Sequence, residues 1–267
     1  MSARSAPGRG LHLSPDAIGF FTLLRRETYR FIVLPNQTIV PPLVSALLYV
    51  TIFGYAIGSR IADVSGVPYV TYIFPGLVMM NAINGAYANT TTSLFIARNE
   101  LFIQDLLVSP LSHLEMVLAY TLGGAARGML VGLSTLVVGY AVLGVHLHDP
   151  IATLFFLMIS SLAFAALGNI VGLWAERWDD VAICLNYVVT PLVFLGGVFY
   201  SIGMLPSGWR AANQLNPIFF LVNGFRHGIL GIHDAGIGLC AAVGMALAGA
   251  LFFIAVVLFQ RGYKLRA

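Results

Sequence analysis

Charge is what this sequence has least of. Only 9% of its 267 residues are charged, whereas 58% are hydrophobic, and the mean hydropathy is +0.87. A soluble domain needs about 25% charged residues, so the composition excludes a water-soluble globule. The length allows about six membrane spans of roughly 20 residues with short connections. We therefore expect no additional large soluble domain.

Lysine and cysteine are also scarce. The single lysine, Lys264, lies in Gly-Tyr-Lys-Leu and not in the P-loop pattern G-x-x-x-x-G-K followed by Ser or Thr, which excludes ATP hydrolysis by that mechanism. Cys184 and Cys240 lie inside apolar runs without metal or redox spacing, and we expect them to pack as small hydrophobic residues. The other basic residues are dispersed arginines, which argues against a nucleic-acid partner.

Six apolar stretches predict an all-α membrane protein with six transmembrane helices. We expect the spans at residues 38–59, 70–96, 115–143, 151–174, 181–203 and 236–259. The second span is expected to be interrupted at Pro75-Gly76. Cytoplasmic placement of both termini leaves only Arg60, Arg210 and Arg226 outside. It places ten basic residues inside: Arg4, Arg9, Arg25, Arg26, Arg30, Arg98, Arg177, Arg261, Lys264 and Arg266.

Two further segments flank these spans. Residues 14–34 begin with Ser14-Pro15, a helix start, and continue as a basic amphipathic helix, with Glu27 among its polar residues. This helix is expected to lie in the membrane interface or to be a plain extension of the first span. Residues 205–231 mix aromatic residues with prolines, asparagines and glycines. They predict either short helices that dip into the membrane from one side or a surface loop with aromatic anchors.

Residues 98–114 form a short charged segment between the second and third spans. Ile103, Leu106 and Leu107 recur at helical spacing, and a polar, net acidic face with Glu100, Gln104 and Asp105 lies opposite. Pro110 should end this helix, and Ser112 with Glu115 forms an S-x-x-E capping box for the third span. Helices that lie in lipid headgroups usually carry a basic polar face, so docking to a protein is the favoured interpretation.

Polar residues inside the spans mark a candidate substrate path. Asn81, Asn84 and Thr91, with Ala88, are predicted to share one face of the second span, and Asn186 and Thr190 lie one turn apart in the fifth. Such side chains line a cavity or form hydrogen bonds between helices. Arg127 lies about twelve residues into the third span and is expected to face the bundle and find an acceptor. It acts as a structural anchor or contacts the substrate, and glycines beside it would let another helix approach closely.

The histidines offer little chemistry. His146 and His148 share a turn with Asp149, but without a fourth ligand a solvated turn is the simpler interpretation and no metal site is expected. His227 and His233 are expected to be ordinary polar loop residues. No Ser-His-Asp set can be assembled, so no catalytic residue is assigned.

Several motifs together resemble the ABC-2 type permeases, the membrane subunits of bacterial ABC exporters. The closest similarity is to the branch of doxorubicin-resistance and nodulation-type export permeases. The resemblance covers essentially the whole chain as one transmembrane domain, residues 1–267. The motifs are Leu106 to Ser112, Gly123-Gly124 with Arg127-Gly128, Pro191 to Tyr200, Leu205-Pro206, Leu215-Asn216-Pro217 and Asn223 to Arg226.

This resemblance implies a dimer of six-span subunits in the bacterial cytoplasmic membrane. Residues 14–34 would be an elbow helix, residues 98–114 a coupling helix, and residues 205–231 re-entrant helices on the external side. Two copies of a separately encoded ATPase, which would hold ATP and Mg²⁺, are expected to dock underneath, and no cofactor is expected in this chain. One departure is visible: Arg98-Asn99-Glu100-Leu101 lacks the glycine that often opens the coupling segment.

The function expected from these features is ATP-driven export of a drug, lipid or glycan-type amphiphile, with no enzymatic chemistry in this chain. The ATPase contact is expected to use Glu100, Gln104, Asp105, Leu106 and Leu107. An ATPase-independent channel or secondary carrier is the alternative, although nearly every carboxylate falls at a predicted turn and not in a buried proton relay. A membrane-embedded lipid-modifying enzyme is disfavoured by the sparse external carboxylates Asp63, Asp149 and Asp234.

Overall fold

The computed structural model describes residues 15–57, 63–100 and 102–265. Its α-helices are α1 Pro15–Ile32, α2 Pro35–Thr38, α3 Val40–Thr51, α4 Tyr69–Asn99, α5 Phe102–Val108, α6 His113–Leu143, α7 Pro150–Trp174, α8 Trp178–Cys184, α9 Thr190–Val193, α10 Ser207–Gln214, α11 Pro217–Leu230 and α12 Ile237–Gln260. Short π-helical turns occupy Ile52–Ile57, Leu185–Val189 and Phe194–Val198, and a 3₁₀ turn occupies Ile202–Met204. The described residues form no β-strand, so this part of the chain is all-helical, as the sequence predicts.

Five stretches of the described chain are long and apolar enough to cross a membrane. They are Pro35–Gly54, His113–Leu143, Pro150–Trp174, Trp178–Val198 and Ile237–Gln260, and they correspond to five of the six predicted spans. The remaining predicted span is α4, which has 31 residues but carries several asparagines and threonines. α4 is therefore long enough to cross a membrane, but its composition is more polar than that of the other five stretches.

The helices α4, α6 and α7 pack against one another at the centre of the bundle. Gly124, Gly128 and Gly132 form a ridge on α6 that meets both neighbours. A Cβ atom at Gly128 would lie 2.7 Å from Ser161 Oγ and 2.8 Å from Ala86 Cβ, so a larger residue would push the helices apart. The prediction that the glycines around Arg127 allow close helix approach is confirmed.

Proline 75 does not interrupt α4. The helix runs without a break from Tyr69 to Asn99, so the predicted interruption at Pro75-Gly76 is wrong. A proline removes a single backbone hydrogen bond, and helices packed on all sides tolerate that loss. Gly76 marks a close contact instead, because a Cβ there would lie 2.7 Å from the Cα of Val198.

The amphipathic helix α1 lies along α6. Its inner face consists of Leu23, Glu27 and Phe31, spaced four residues apart. Glu27 is only 1% exposed and forms ion pairs with Arg26 and Arg30 at 3.3 and 3.8 Å. Its assignment to the exposed polar face is therefore wrong, and the paired arginines explain why its charge can be buried. Apolar side chains remain exposed on the rest of α1, namely Ile18, Phe21, Tyr29 and Ile32.

Arg226 of α11 lies at the centre of a buried polar network. It is 2% exposed, its Nη2 atom donates to the carbonyl of Gly197 at 2.5 Å, and its guanidinium lies 4.1 Å from the centre of the Tyr72 ring. The hydroxyls of Tyr72 and Ser201 donate to the Asp234 carboxylate at 3.5 and 3.1 Å. The network therefore ties α4, α11 and the end of the fifth predicted span to the loop before α12.

The burial of Arg226 corrects the predicted charge count, which treats this residue as an external loop arginine. A buried, bonded guanidinium carries little orientation signal, because the signal comes from basic residues in loops. Four other arginines of that count lie outside the described residues: Arg4, Arg9, Arg60 and Arg266. Ser14, at the predicted start of α1, also lies outside them.

Replacement of a glycine on the α6 ridge should destabilise the bundle. We expect Gly128→Ala to lower the free energy of unfolding by about 1–3 kcal/mol, because the added methyl overlaps Ala86 and Ser161. The matched control is Gly249→Ala on α12, where an added Cβ meets nothing within 4 Å. Thermal unfolding of the purified chain in detergent should show a lower midpoint for Gly128→Ala alone. Equal midpoints for the two variants would contradict the close contact.

Candidate functional site

The short helix α5 presents one covered side and one open side. Ile103 is 2% exposed and belongs to a buried cluster that also contains Leu23, and Leu106 and Leu107 pack partly against this cluster. On the other side of the helix, the predicted contact residues Gln104 and Asp105 are exposed, and Glu100 is exposed just before it. The structure therefore places the polar members of the predicted contact on the surface and turns the two leucines partly inward.

The open side of α5 also carries apolar residues that the sequence pattern misses. Val108 is 87% exposed and Phe102 is 52% exposed. With 3.6 residues per turn, Val108 and Asp105 lie on the side of the helix opposite Ile103. That geometry could have been derived from the sequence once Ile103 was taken as the inward residue. The surface formed by Phe102, Gln104, Asp105 and Val108 is called the α5 surface below.

The connections on both sides of α5 are fixed by local hydrogen bonds. The helix ends at Val108, two residues before Pro110, as the sequence predicts. Ser112 caps α6: its Oγ accepts from the backbone N–H of Glu115 at 3.2 Å, and its own N–H donates to the Glu115 carboxylate at 2.8 Å. The predicted capping box is confirmed, so α6 begins directly after the α5 turn.

The end of the bundle that carries α5 is tied together by two cations. Arg98, in the last turn of α4, donates to the carbonyls of Gly172, Leu173 and Ala175 at the end of α7. These carbonyls lack partners within their own helix, so the guanidinium acts as a cap for α7. The contact joins the helix before α5 to the end of the neighbouring α7.

The second cation is Lys264, which follows α12. Its ammonium donates to the Glu176 carboxylate at 2.5 Å and to the carbonyl of Trp174 at 3.0 Å. The hydrogen bond and positive charge of Lys264 lower the pKa of the Glu176 carboxyl below its usual range. The ends of α7 and α12 therefore meet at the same end of the bundle as α5.

A polar stripe runs along the least buried side of α4. Asn84, Ala88 and Thr92, four residues apart, are partly exposed, whereas Asn81 and Thr91 are buried. Asn81 Nδ2 donates to the carbonyl of Pro42 at 3.1 Å. The Thr91 hydroxyl donates to the carbonyl of Tyr87 at 2.8 Å. Of the predicted path residues in α4, only Asn84 lies on the stripe, and its Oδ1 atom is buried without a hydrogen-bond partner.

Asn186 and Thr190 lie in the fifth predicted span. Asn186 is exposed in the π-helical turn before α9, and Thr190 is partly buried. Their neighbours Ile183, Tyr187 and Val188 are also exposed. The five predicted path residues therefore differ in exposure: Asn186 is exposed, Asn84 and Thr190 are partly exposed, and Asn81 and Thr91 are buried.

Arg127 of α6 has no acceptor within the described residues. Its Nε atom is buried without a hydrogen-bond partner, and Arg127 forms no ion pair with any described residue. It lines a cavity of about 190 Å³ together with Arg30, Asn89, Thr92 and other residues of α1 and α2. The predicted inward orientation is therefore observed, and the predicted partner is not found among the described residues.

A larger cavity lies at the opposite end of the bundle from α5. It has a volume of about 530 Å³ and lies between the α9 region and α10. Its walls are mainly apolar, with Leu192, Leu195, Tyr200, Trp209 and Asn216 among the lining residues. Such a wall suits an apolar group better than a charged one.

Three histidines meet near the turn between α6 and α7. The ring of His227 lies 5.6 Å from that of His148 and 5.1 Å from that of His233, centre to centre. His227 lies on α11 and is partly buried, so it is not the loop residue that the sequence suggests. No group of His, Cys, Asp and Glu side chains suited to hold a metal ion occurs within residues 15–57, 63–100 and 102–265.

Comparison with known proteins identifies relatives and a matching family model that agree with one another. The inner membrane transport permease YadH of Escherichia coli K12 is 38% identical over 242 residues, which cover 91% of this chain and 94% of that protein. Nodulation protein J of Sinorhizobium fredii NGR234 is 24% identical over 209 residues, covering 78% of this chain and 80% of that protein. Residues 18–230 match the model of the ABC-2 type transporter family. The chain therefore belongs to the ABC-2 type transporter family.

Proposed function

We propose that this chain is the membrane subunit of an ATP-driven exporter in the bacterial inner membrane, moving an amphiphilic drug, lipid or glycan-type substrate outward. Family membership and the similarity to a protein named as an inner membrane transport permease support this proposal. The chain carries no P-loop, so the energy for uphill transport would come from a separate ATPase that binds ATP and Mg²⁺.

In this proposal α4 is the sixth span. Its 31 residues are more than long enough to cross a bilayer, and the apolar helices α6 and α7 pack against it. A helix enclosed by other helices can carry amides and threonines at membrane depth, because those groups do not face lipid. Both termini and α5 would then lie in the cytoplasm, α1 would be the elbow helix, and α10 and α11 would enter the membrane from the external side.

The α5 surface is the observation that carries the proposal. It presents Asp105, Gln104, Phe102 and Val108 to solvent, while Ile103 anchors the helix in the bundle. Exposed aliphatic and aromatic side chains on a short helix suit a groove on a partner protein, and acidic neighbours select its orientation. An acidic surface is also unsuited to anionic lipid headgroups. We assign this surface to contact with the ATPase, two copies of which would serve a dimer of this chain.

A second copy of the chain would complete the transport path. Exposed apolar side chains on α3 and on the α8–α9 region offer surfaces that a second copy can cover: Val44, Leu47, Leu48, Ile183, Tyr187 and Val188. Asn186 lies on the same exposed region and would approach the path only in such a dimer. Closure of the ATPases would move α5 as a rigid lever and switch the accessible side of the path.

Charge inversion on the α5 surface tests this assignment. We expect Asp105→Arg to reduce ATP-driven export roughly tenfold or more, because a like-charge contact with the partner is strongly unfavourable. Membrane insertion should be unchanged, since Asp105 is exposed and its side chain forms no ion pair with any described residue. Dye export and ATP hydrolysis would be measured in proteoliposomes that contain the complete complex.

Asp179→Arg is the matched control, because Asp179 is also exposed near this end of the bundle but lies on α8. Only the Asp105 variant should lose coupling between hydrolysis and export. Full export by Asp105→Arg would contradict the contact. Uphill pumping by the purified chain without an ATPase would contradict the proposed function itself.

The stripe on α4 allows a test of the substrate path. We expect Asn84→Leu to change the relative export of cationic and neutral fluorescent amphiphiles without lowering thermal stability, since its Oδ1 atom has no partner to lose. Asn81→Leu should instead lower the stability by about 1 kcal/mol and leave the preference unchanged, because it removes the bond to Pro42. A stability loss for both variants, with unchanged preference, would assign both amides to helix packing.

A further inference from the structure

The cavity of about 190 Å³ beside Arg127 is unusual in its chemistry. It lies between α1, α2, α4 and α6, and two guanidinium groups from different helices line it. Its lining residues are Arg30, Phe31, Leu34, Gln37, Thr38, Asn89, Thr92 and Arg127. Among the described residues, no aspartate or glutamate belongs to this lining.

The charges around the cavity do not balance. Glu27 pairs with two of the three arginines of α1, Arg26 at 3.3 Å and Arg30 at 3.8 Å. Arg127 has no ion-pair partner among the described residues and is repelled by Arg30. A partly buried cation is expensive in a bilayer unless an anion or an acceptor lies beside it.

Two of the residues that line the cavity carry a buried donor without a partner. Arg30 donates to Asn89 at both its carbonyl and its Oδ1 atom, at 2.7 and 3.1 Å. This fixes the orientation of the amide, because a flipped amide would face the guanidinium with a second donor. Asn89 Nδ2 is therefore left buried without a partner, and the Arg127 Nε is likewise buried and unpartnered. Buried donors of this kind call for a ligand rich in acceptors.

We propose that this cavity binds the oxyanion headgroup of an amphiphile, a phosphate or a carboxylate. Its oxygens accept hydrogen bonds from Arg127 and Asn89, and its charge offsets that of the two guanidinium groups. Phe31 and Leu34 form the apolar part of the wall, and Leu34 is exposed beside it, which provides a surface for the start of an acyl chain. This inference concerns binding by the chain alone and does not rest on the proposed transport function.

The test measures lipid binding to the purified full-length chain by native mass spectrometry. Phosphatidylglycerol and phosphatidylcholine of equal chain length are compared, and inorganic phosphate is titrated separately in a thermal-shift experiment. We expect the wild-type chain to bind phosphatidylglycerol at least about ten times more tightly than phosphatidylcholine. Arg127→Gln should remove this preference, whereas Arg25→Gln, which removes an exposed charge from the same helix as Arg30, should retain it.

A second variant tests whether the preference needs the space in the cavity as well as the positive charges. It also keeps the test decisive if Arg127→Gln fails to fold. Thr92→Phe fills the cavity while both guanidinium groups remain, and it should also abolish the preference. Equal binding of the two lipids by the wild-type chain, with no stabilisation by phosphate, would overturn the proposal, as would unchanged selectivity in both variants. Stabilisation by inorganic phosphate that depends on Arg127, without lipid selectivity, would retain the oxyanion site and assign it to a free anion.

Discussion

The close contact of α6 and α7 with α4 through glycine is the constraint on which the other features depend. Because residues such as Gly128 bring the helix backbones together, α4 is covered on nearly all sides. A helix that is shielded in this way can carry asparagine and threonine where a lipid-facing helix could not. The same enclosure leaves one partly exposed line along α4, from Asn84 to Thr92, and the proposed substrate path would reach α4 along this line.

Much of the helical pattern follows from local sequence. Five spans, the end of α5 before Pro110 and the capping box at Ser112 are predicted correctly, since each depends on neighbouring residues only. The polar character of α4 is also visible in the sequence. The side of α4 that stays accessible is not visible in the sequence. Thr91 and Thr92 are neighbours, and only packing against α6 and α7 decides which one is covered. Glu27 is misassigned for a similar reason: its burial depends on Gly123 of α6, which lies far away in sequence.

The two arginines that lie deepest in the bundle show why residue type alone does not determine a role. Arg226 has a carbonyl acceptor, the face of Tyr72 and a nearby carboxylate, Asp234, so its charge is compensated within the chain. Arg127 has none of these partners among the described residues, and another arginine, Arg30, repels it. The first arrangement is that of a structural tie between helices. The second arrangement leaves a buried donor without an acceptor, and a molecule from outside the chain can supply that acceptor.

The length and continuity of α4 connect these sites mechanically. The helix rises about 46 Å over its 31 residues, with α5 following at one end and Tyr72, in contact with Arg226, near the other. Arg98 fixes its α5 end to α7, so a push on α5 reaches two central helices together. Since Pro75 does not break α4, a displacement of α5 in the proposed mechanism would be transmitted along α4 to the Gly76 contact with Val198. In the proposed function, a continuous α4 would therefore let a partner bound at the α5 surface act on the stripe and on the opposite end of the bundle in one movement.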